Sequence, residues 1–290
     1  MKKFLLIILI LALCASPLLF AACSNVSQSS LLSFSYVCSE DGYELFTYDV
    51  FKDNAVVGAM TMKFEPLYDR SVTMVCLTEA SGEKTFSGVT GTLLSVDLAM
   101  NNGDTIKSRV LYDGNFAPIF SYKKTVISTD VKEMQVSYEG KYLYTKLYVN
   151  GEEGPSTEHK ASGCFDNEML YALVRASAIG SSSYSFSFTS VNPLTAAPDT
   201  ITISRASQVN ESVKALEPTV LPEGTETYTV PCYQFRISID NAYAGSYTMN
   251  VAKENQTVKN DTLDINKVKK IIVSITEGDY LYKLSDVEIV

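Results

Sequence analysis

The sequence predicts a mainly β protein, an antiparallel meander with one helix in the middle of the chain. Apolar and polar residues alternate with a period of two over most of the sequence after residue 31, as in strands that bury one face. Dipeptides that favour tight hairpins separate the alternating runs, among them Asn102-Gly103 and Asn150-Gly151. One mid-chain segment instead spaces its apolar residues as a helix does.

Composition limits the classes of protein to consider. The chain has 290 residues, 46% of them hydrophobic and 20% charged, which is enough apolar material for a sizeable core. A net charge of −9 and the lack of a basic run argue against nucleic-acid binding, which needs clustered lysine and arginine. The sequence contains one histidine, so any site that requires two is excluded.

The N-terminus has the layout of a bacterial lipoprotein signal peptide. Lys2 and Lys3 precede an apolar run at residues 4–13, and small residues follow. The segment LFAAC at residues 19–23 resembles a bacterial lipobox, in which the cysteine is acylated and the chain is cut before it. We predict that residues 1–22 are removed and that Cys23 carries the lipid, such as palmitate. Residues 23–32 would tether the protein to a bacterial membrane outside the cytoplasm.

Other interpretations of this N-terminus exist. Cys14 is a rival lipid site, but it follows bulky Leu13 and would truncate the apolar run. Ordinary secretion would leave Cys23 as a free thiol. No later segment is apolar for long enough to cross a bilayer, so the N-terminal lipid is the expected contact with the membrane.

The remaining cysteines leave two alternatives open. Cys38, Cys76, Cys164 and Cys232 could form two disulfides in any of three pairings, or they could be four buried free thiols. No C-x-x-C spacing is present, so a structural zinc site is not expected.

Two regions illustrate the strands of the N-terminal half. Met60, Met62 and Phe64 share one face of a predicted strand. A later hairpin, residues 134–148, carries four tyrosines, and we predict that they line one face as a contact surface. These are Tyr138, Tyr142, Tyr144 and Tyr148. Tyrosine is also an ordinary residue of half-buried strands, which is the alternative explanation.

The helix is predicted near residues 166–177. Asp166 is a good N-cap residue, and Met169, Leu173 and Ala176 follow on one helical stripe. In the C-terminal half, residues 235–239 alternate, residues 271–275 form a continuous run predicted to be buried on both faces, and residues 280–284 form a closing strand. No segment has the composition of an interdomain linker, so residues 33–290 are predicted to be a single β-rich domain.

Several of these features resemble an uncharacterised family of bacterial envelope lipoproteins. The acidic helix start, its leucines and Arg175-Ala176 are similar to that family, as is YTVPCYQF at residues 228–235. That family is similar in fold to the lipoprotein-carrier proteins, so the resemblance implies a curved sheet, a half-open barrel around the helix. It covers residues 43–290, although a glycine–threonine turn is missing and the polar residues 255–266 interrupt it. The family has no established catalytic residues.

No catalytic constellation stands out. His159, the sole imidazole, lies in a polar, turn-rich segment and is predicted to be a solvated loop residue. The S-x-x-K matches Ser121/Lys124 and Ser81/Lys84 lie in strand or hairpin patterns, where the lysine cannot reach its serine. The oxygen ligands Asp261, Asp264 and Asn266 lack the glycine and terminal acid of a helix-loop-helix calcium site, so no metal or cofactor is expected.

The sequence therefore favours a non-enzymatic, membrane-anchored lipoprotein outside the cytoplasm, whose curved sheet binds an apolar or lipid-like ligand. The alternative is an envelope scaffold or adhesion module that binds another protein through the tyrosine-rich face. A hydrolase is the third and least favoured interpretation.

Overall fold

The computed structural model describes residue 32 and residues 34–36, 38–160, 164–177, 185–191, 198–214, 227–240, 247–253 and 270–290. The predicted signal peptide, Cys14, Cys23, most of the tether and the oxygen-ligand run at residues 261–266 lie outside these residues.

The strands of the first half are β1 (Glu44–Lys52), β2 (Ala55–Val75), β3 (Glu83–Met100), β4 (Thr105–Asp113), β5 (Pro118–Ile127), β6 (Asp130–Glu139), β7 (Tyr142–Val149), β8 (Glu152–Glu153) and β9 (Thr157–Lys160). A 3₁₀ turn (Asn167–Met169) leads into helix α1 (Leu170–Ala176). The second half contributes β10 (Ser185–Val191), β11 (Pro198–Lys214), β12 (Thr227–Ile239), β13 (Tyr247–Ala252), β14 (Ile272–Glu277) and β15 (Tyr280–Ile289).

One antiparallel sheet contains all of these strands. Its order is β10-β11-β12-β13-β14-β15-β1-β2-β3-β4-β5-β6-β7-β8, and β9 also pairs with β7. Two meanders, one before and one after the helix, are thus joined where β15 pairs with β1. The sheet curves around the helix without closing, which confirms the predicted half-open barrel with one mid-chain helix.

Tight turns connect neighbouring strands as the dipeptides predicted. Asn150 and Gly151 both have positive φ, of 53° and 82°, the geometry that a two-residue hairpin between right-twisted strands requires. At Gly91 in β3, a Cβ atom would lie 2.1 Å from the carbonyl oxygen of Tyr112, so only glycine fits against β4 there.

The core lies between the helix and the inner face of the sheet. All but one of the seven residues of α1 are buried, so the helix has no solvent-facing side. It packs on large inner-face side chains from both meanders, including Phe46, Tyr48, Met62, Phe64, Phe235 and Ile275. Residues 271–275 are all buried, including Ser274, as predicted from this run. Within the described residues, no helix has both the length and the apolar character needed to cross a membrane.

An ion pair inside the core fixes the C-terminal end of the helix. The Nη2 atom of Arg175 lies 2.7 Å from the Oε2 atom of Glu44 on β1, and the two side chains are 2% and 0% exposed. The guanidinium also lies 4.5 Å from the ring centre of Phe64 and 4.8 Å from that of Phe46. The pairing compensates the burial of both charges and holds the helix against the sheet.

A second layer covers part of the outer face. The distal parts of β2 and β3 form an arm, and a register shift around Asp69, where φ is 54°, accompanies its change of course. Apolar arm residues pack on Leu111, Phe120 and Tyr122, which point away from the helix. The backbone N–H of Leu77 donates to the side-chain oxygen of Gln135 at 2.6 Å, which connects the arm to β6.

Candidate functional site

An open cleft lies between the two walls of the half-barrel. It has a volume of about 980 Å³ and opens at the β3–β4, β5–β6 and β14–β15 hairpin ends. Its apolar lining comes mostly from alternate positions of facing strands, namely Leu98, Met100, Ile106, Ile127, Ile237 and Ile239, and Val126 adds to it at the end of β5. Elsewhere in the sheet, the inner-facing side chains are buried under the helix. Here they form an apolar wall that no described residue covers.

An inner chamber of about 470 Å³ continues from the cleft. Leu98, Ile106 and Ile239 line both spaces, and the chamber extends to Leu170 and Tyr171 at the start of α1. The short helix explains the space. Seven residues of helix are about 10 Å long, whereas the nine residues of β4 span about 30 Å. The helix therefore fills one end of the half-barrel and leaves the other open.

A charged pair lies on the chamber wall. The Nζ atom of Lys123 on β5 is 2.8 Å from the Oε1 atom of Glu168 in the 3₁₀ turn. Burial acts to lower the pKa of Lys123, but the charge and hydrogen bond of Glu168 outweigh it and the pKa is raised. Burial likewise acts to raise the pKa of Glu168, but the Lys123 charge holds that pKa below its usual range. Both groups are therefore ionised at neutral pH.

A group of one acid and three tyrosines lies where the cleft and the chamber meet. We call Glu277, Tyr171, Tyr247 and Tyr282 the tyrosine–glutamate cluster. The Tyr282 hydroxyl lies beside the Glu277 carboxyl, and the hydroxyls of Tyr171 and Tyr247 lie beside each other, so that each pair influences the pKa of its members. The cluster brings together β13, β14, β15 and α1.

The environment of this cluster disfavours additional negative charge. The surrounding protein partly desolvates Glu277 and raises its pKa, and the charge of Glu168 adds to this effect. Lys123 acts in the opposite direction. The Glu277 side chain is still exposed to solvent on the side of the open cleft. Burial also holds the pKa of Tyr171 and of Tyr247 well above the usual value, and Glu277 raises both further. The tyrosines are therefore neutral at physiological pH.

One buried hydroxyl in the chamber lacks a partner. Ser190 on β10 is 1% exposed and lines the chamber. Its Oγ atom makes no hydrogen bond with any residue that the structure describes. An unsatisfied buried hydroxyl costs about 1–3 kcal/mol, so a polar ligand atom within reach would be stabilised.

Asp166 organises the start of the helical segment, as its N-cap prediction required. Its carboxylate accepts hydrogen bonds from Ser121 at 2.5 Å, from Tyr138 at 2.8 Å and from the backbone N–H of Glu168 at 2.9 Å. The helix is shorter than predicted, because residues 167–169 form a 3₁₀ turn before α1 begins at Leu170.

The structure places three of the four predicted tyrosines on one face of the sheet and Tyr138 on the other, so the prediction that all four share a face is wrong for Tyr138. Tyr142 and Tyr144 are exposed, at 41% and 38%, and Tyr148 follows on the same outer face of β7. Tyr138 pairs with Leu143 across β6 and β7, so it shares the inner face with that buried residue. Directly paired residues of an antiparallel sheet point to the same side, and this register separates Tyr138 from the others.

The four cysteines of the body are free thiols, so the disulfide alternative is not found. Cys76, Cys164 and Cys232 are buried in three different packing clusters, and Cys38 is half-buried outside them. Each buried cysteine packs as a small apolar residue.

The other candidates for catalysis occupy unconnected places. His159 lies on the edge strand β9, half-buried and paired with Leu143, rather than in a solvated loop as predicted. Ser121 faces the helix, whereas Lys124 points outward and lies 3.4 Å from Glu133. Within the described ranges, no group of three or more histidine, cysteine, aspartate or glutamate side chains could hold a metal ion.

The cleft residues were not predicted from the sequence. Lys123, Glu168 and Glu277 come from segments far apart in the chain, and no motif connects them. Glu277 is the exposed last residue of β14, directly before the turn at Gly278, where a charged residue is ordinary, so alternation did not indicate it.

The fold and the cleft define a class of protein: a β half-barrel with an apolar cavity at the open end of a short central helix. The chain is similar in structure to a β-barrel-like protein of the domain of unknown function DUF1849 from Brucella abortus. The sequence identity is 14% and the TM-score 0.47, over 88% of this chain and 100% of that chain. No protein-family model matches the sequence, and no curated protein matches it.

Proposed function

We propose that this protein is a non-enzymatic binding protein that holds an apolar or lipid-like ligand in the cleft and chamber. The observation that carries the proposal is the continuous, largely apolar cavity, whose 980 Å³ outer part has the size of typical small-molecule sites. Large exposed apolar surfaces are rare in proteins and usually mark sites that bind a ligand or a partner.

The energetics favour a ligand with an alkyl chain. Each methylene moved from water into an apolar environment contributes about 0.8 kcal/mol, so about ten methylenes contribute roughly 8 kcal/mol. Association costs about 4–15 kcal/mol in lost freedom, so the chain offsets much of this cost and polar contacts add the remainder.

The proposal extends to location. The lipobox-like segment at residues 19–23 supports a lipid on Cys23 and a place on the outer side of a bacterial membrane. The resemblance to bacterial envelope lipoproteins supports the same location. A tethered carrier of this kind would meet apolar ligands at the membrane surface.

Binding is tested with the full chain in lipid nanodiscs and N-phenyl-1-naphthylamine, a neutral fluorophore that brightens in apolar sites. Ile127 is 55% exposed at the cleft, so Ile127→Trp narrows the space without disturbing the core. Val56→Trp is the matched control, because Val56 is 51% exposed and does not line the cleft. We expect saturable fluorescence that only Ile127→Trp weakens. Equal signals from both variants and from protein-free nanodiscs would contradict the proposal.

The anchor is tested separately in cells by metabolic labelling with a palmitate analogue. We expect Cys23→Ala to abolish labelling and Cys14→Ala to leave it unchanged, because only Cys23 follows the lipobox-like segment. Labelling that persists in Cys23→Ala would refute the lipid anchor and leave the cleft proposal standing.

A second candidate function is binding of another envelope protein through the outer face of β7. The exposed rings of Tyr142 and Tyr144 favour it, because tyrosine is enriched at protein interfaces. Crosslinking in cells should trap a partner that Tyr142→Ser/Tyr144→Ser no longer captures while circular dichroism stays unchanged. A crosslinked product that the double variant retains would exclude this face.

A further inference from the structure

We propose that the cleft selects amphiphiles with a positively charged ammonium head group, held at the Glu277 carboxylate among the three tyrosines of the tyrosine–glutamate cluster. This inference rests on the proposed function, because it assumes that the alkyl chain occupies the apolar lining. It adds the chemistry by which one amphiphile would be preferred over another.

The charges around the cavity have one predominant sign. Six carboxylates line the cleft and chamber: Asp104, Asp130, Glu168, Asp199, Glu277 and Asp279. Three cationic side chains line the same spaces: Lys123, Lys132 and Arg236. Low-dielectric walls strengthen the field of such an excess, so the cavity attracts a cation and repels an anionic head group.

Glu277 is the carboxylate best placed to receive that cation. It lines both the cleft and the chamber, and it makes no ion pair with any residue the structure describes. Lys123, the cation that acts to lower the pKa of Glu277, is already 2.8 Å from Glu168. An ammonium group bound at Glu277 would place a positive charge next to this carboxylate, whereas the positive charge of Lys123 acts on it only from a distance.

The three tyrosines suit the same ligand. Tyr171, Tyr247 and Tyr282 are neutral, so they add no competing charge, and their rings can lie against a trimethylammonium group. The Tyr282 hydroxyl lies beside Glu277 and acts to lower its pKa, which favours the ionised carboxylate that a cation requires. Leu98, Ile106 and Ile239, which line both spaces, offer an apolar path for the attached alkyl chain.

Ser190 provides an independent polar contact. Its buried hydroxyl has no partner among the described residues and lies on the chamber wall. A polar atom close to the head group could accept or donate a hydrogen bond there, which an alkane cannot do.

The experiment compares head groups on one alkyl chain. The full chain in nanodiscs is mixed with equal amounts of dodecyltrimethylammonium, dodecyl tetraethylene glycol ether and dodecyl sulfate, and bound adducts are counted by native mass spectrometry. Partitioning into the nanodisc is the same for every variant, so it cancels when adduct ratios are compared between variants. We expect the cationic adduct to dominate in the wild type.

The variants identify the residue responsible. We expect Glu277→Gln to lower the ratio of cationic to neutral adduct about tenfold, the effect of losing one charge–charge contact in a cavity that is open to solvent. Asp279→Asn is the control, because it removes the same charge two residues away at the cleft mouth. Tyr282→Phe should lower the ratio less, since the ring remains. Circular dichroism establishes that each variant is folded.

The outcomes separate this inference from the proposed function. Equal adducts for all three amphiphiles, or an equal loss of preference in Glu277→Gln and Asp279→Asn, would overturn the head-group inference and leave apolar binding intact. The absence of every adduct in the wild type would overturn the proposed function itself. A further comparison of dodecylphosphocholine with dodecyltrimethylammonium distinguishes a phospholipid head group from a simple amine. Tighter binding of either one supports the ammonium site, and the ligand that binds more tightly identifies the source of the head group.

Discussion

The two ends of the mid-chain helical segment each carry an ion pair with the sheet, yet the surroundings of these two pairs are opposite. At the C-terminal end, Arg175 and Glu44 are sealed among aromatic rings. At the N-terminal end, Lys123 and Glu168 lie on the wall of an open chamber. The same curved sheet therefore has a closed end that holds the helix and an open end whose polar groups are available to a ligand.

This contrast shows how a half-barrel gains a cavity without losing its core. Stability comes from the closed end, where the helix fills the space between the walls. The open end retains inner-facing side chains that no helical turn covers, so the same alternation forms a binding surface there. Substitutions at each end test whether the closed end contributes more to stability than the open end.

Breaking the closed end should cost the most. Arg175→Met leaves Glu44 buried without its cation, and such losses amount to about 3–5 kcal/mol in the free energy of unfolding, measured by urea denaturation. Arg109→Met is the control, because Arg109 pairs with Asp97 at 2.8 Å on a partly exposed face. We expect this control to lose under about 1 kcal/mol. Similar losses in both variants would mean that burial does not distinguish the two pairs.

At the open end, Lys123→Met should cost less, about 2 kcal/mol at pH 7, because the chamber admits water to the remaining Glu168. The pKa of Glu168 is lowered in the folded protein, so the pair stabilises above the unfolded pKa of about 4.3 and this contribution is lost as pH falls through the folded pKa. The difference between the wild type and the variant should therefore shrink towards pH 3.

The control for this substitution is Lys124→Met. Lys124 points to the outer face, where its nearest acid is Glu133 at 3.4 Å. We expect a loss below about 1 kcal/mol at every pH. A loss in Lys123→Met that stays constant from pH 7 to pH 3 would show that Glu168 is not the group involved.

Removing the N-cap at the open end should have an effect of similar size. Asp166→Ala deletes the acceptor of the Glu168 backbone N–H, a cap that is typically worth about 1 kcal/mol, and it also removes the acceptor of the Ser121 and Tyr138 hydroxyls, which adds about 1 kcal/mol. Thermal unfolding followed by circular dichroism measures the change, and Asp166→Asn should recover only the cap, because its amide oxygen still accepts from the Glu168 N–H whereas its NH2 group cannot accept from the two hydroxyls. An unchanged midpoint in Asp166→Ala would mean that the 3₁₀ turn needs no cap.

Glu277→Gln should change stability least and in the opposite direction. The folded pKa of Glu277 is raised, so its ionised form opposes folding above that pKa, and the neutral amide removes this opposition. Burial, Lys123, Glu168 and Tyr282 act on the pKa of this carboxyl, and its own charge raises the pKa of Tyr171 and of Tyr247 nearby. We expect a small rise in the unfolding midpoint of the ligand-free protein at pH 7 that vanishes at low pH. A lower midpoint would make Glu277 a structural residue.

Local features of the fold were predictable, and the site was not. The Asp166 cap, the inner-facing Met60, Met62 and Phe64 and the Asn150-Gly151 turn depend on neighbours in sequence, so periodicity and turn chemistry reveal them. The sequence prediction places Tyr138 on the wrong face. Alternation shows which residues of one strand share a face, but it does not fix the register of two strands across a turn, and this register pairs Tyr138 with Leu143.

By itself, the sequence determined the strands, the turns, the position of the helix and the lack of a recognisable catalytic motif, since these follow from short-range patterns. Only the tertiary structure decided that β15 pairs with β1, that the cysteines lie apart, and that Lys123, Glu168 and Glu277 meet at one cavity. The physical reason is that the cavity exists where a seven-residue helix ends inside a longer curved sheet. That mismatch of lengths belongs to the packing of the whole chain.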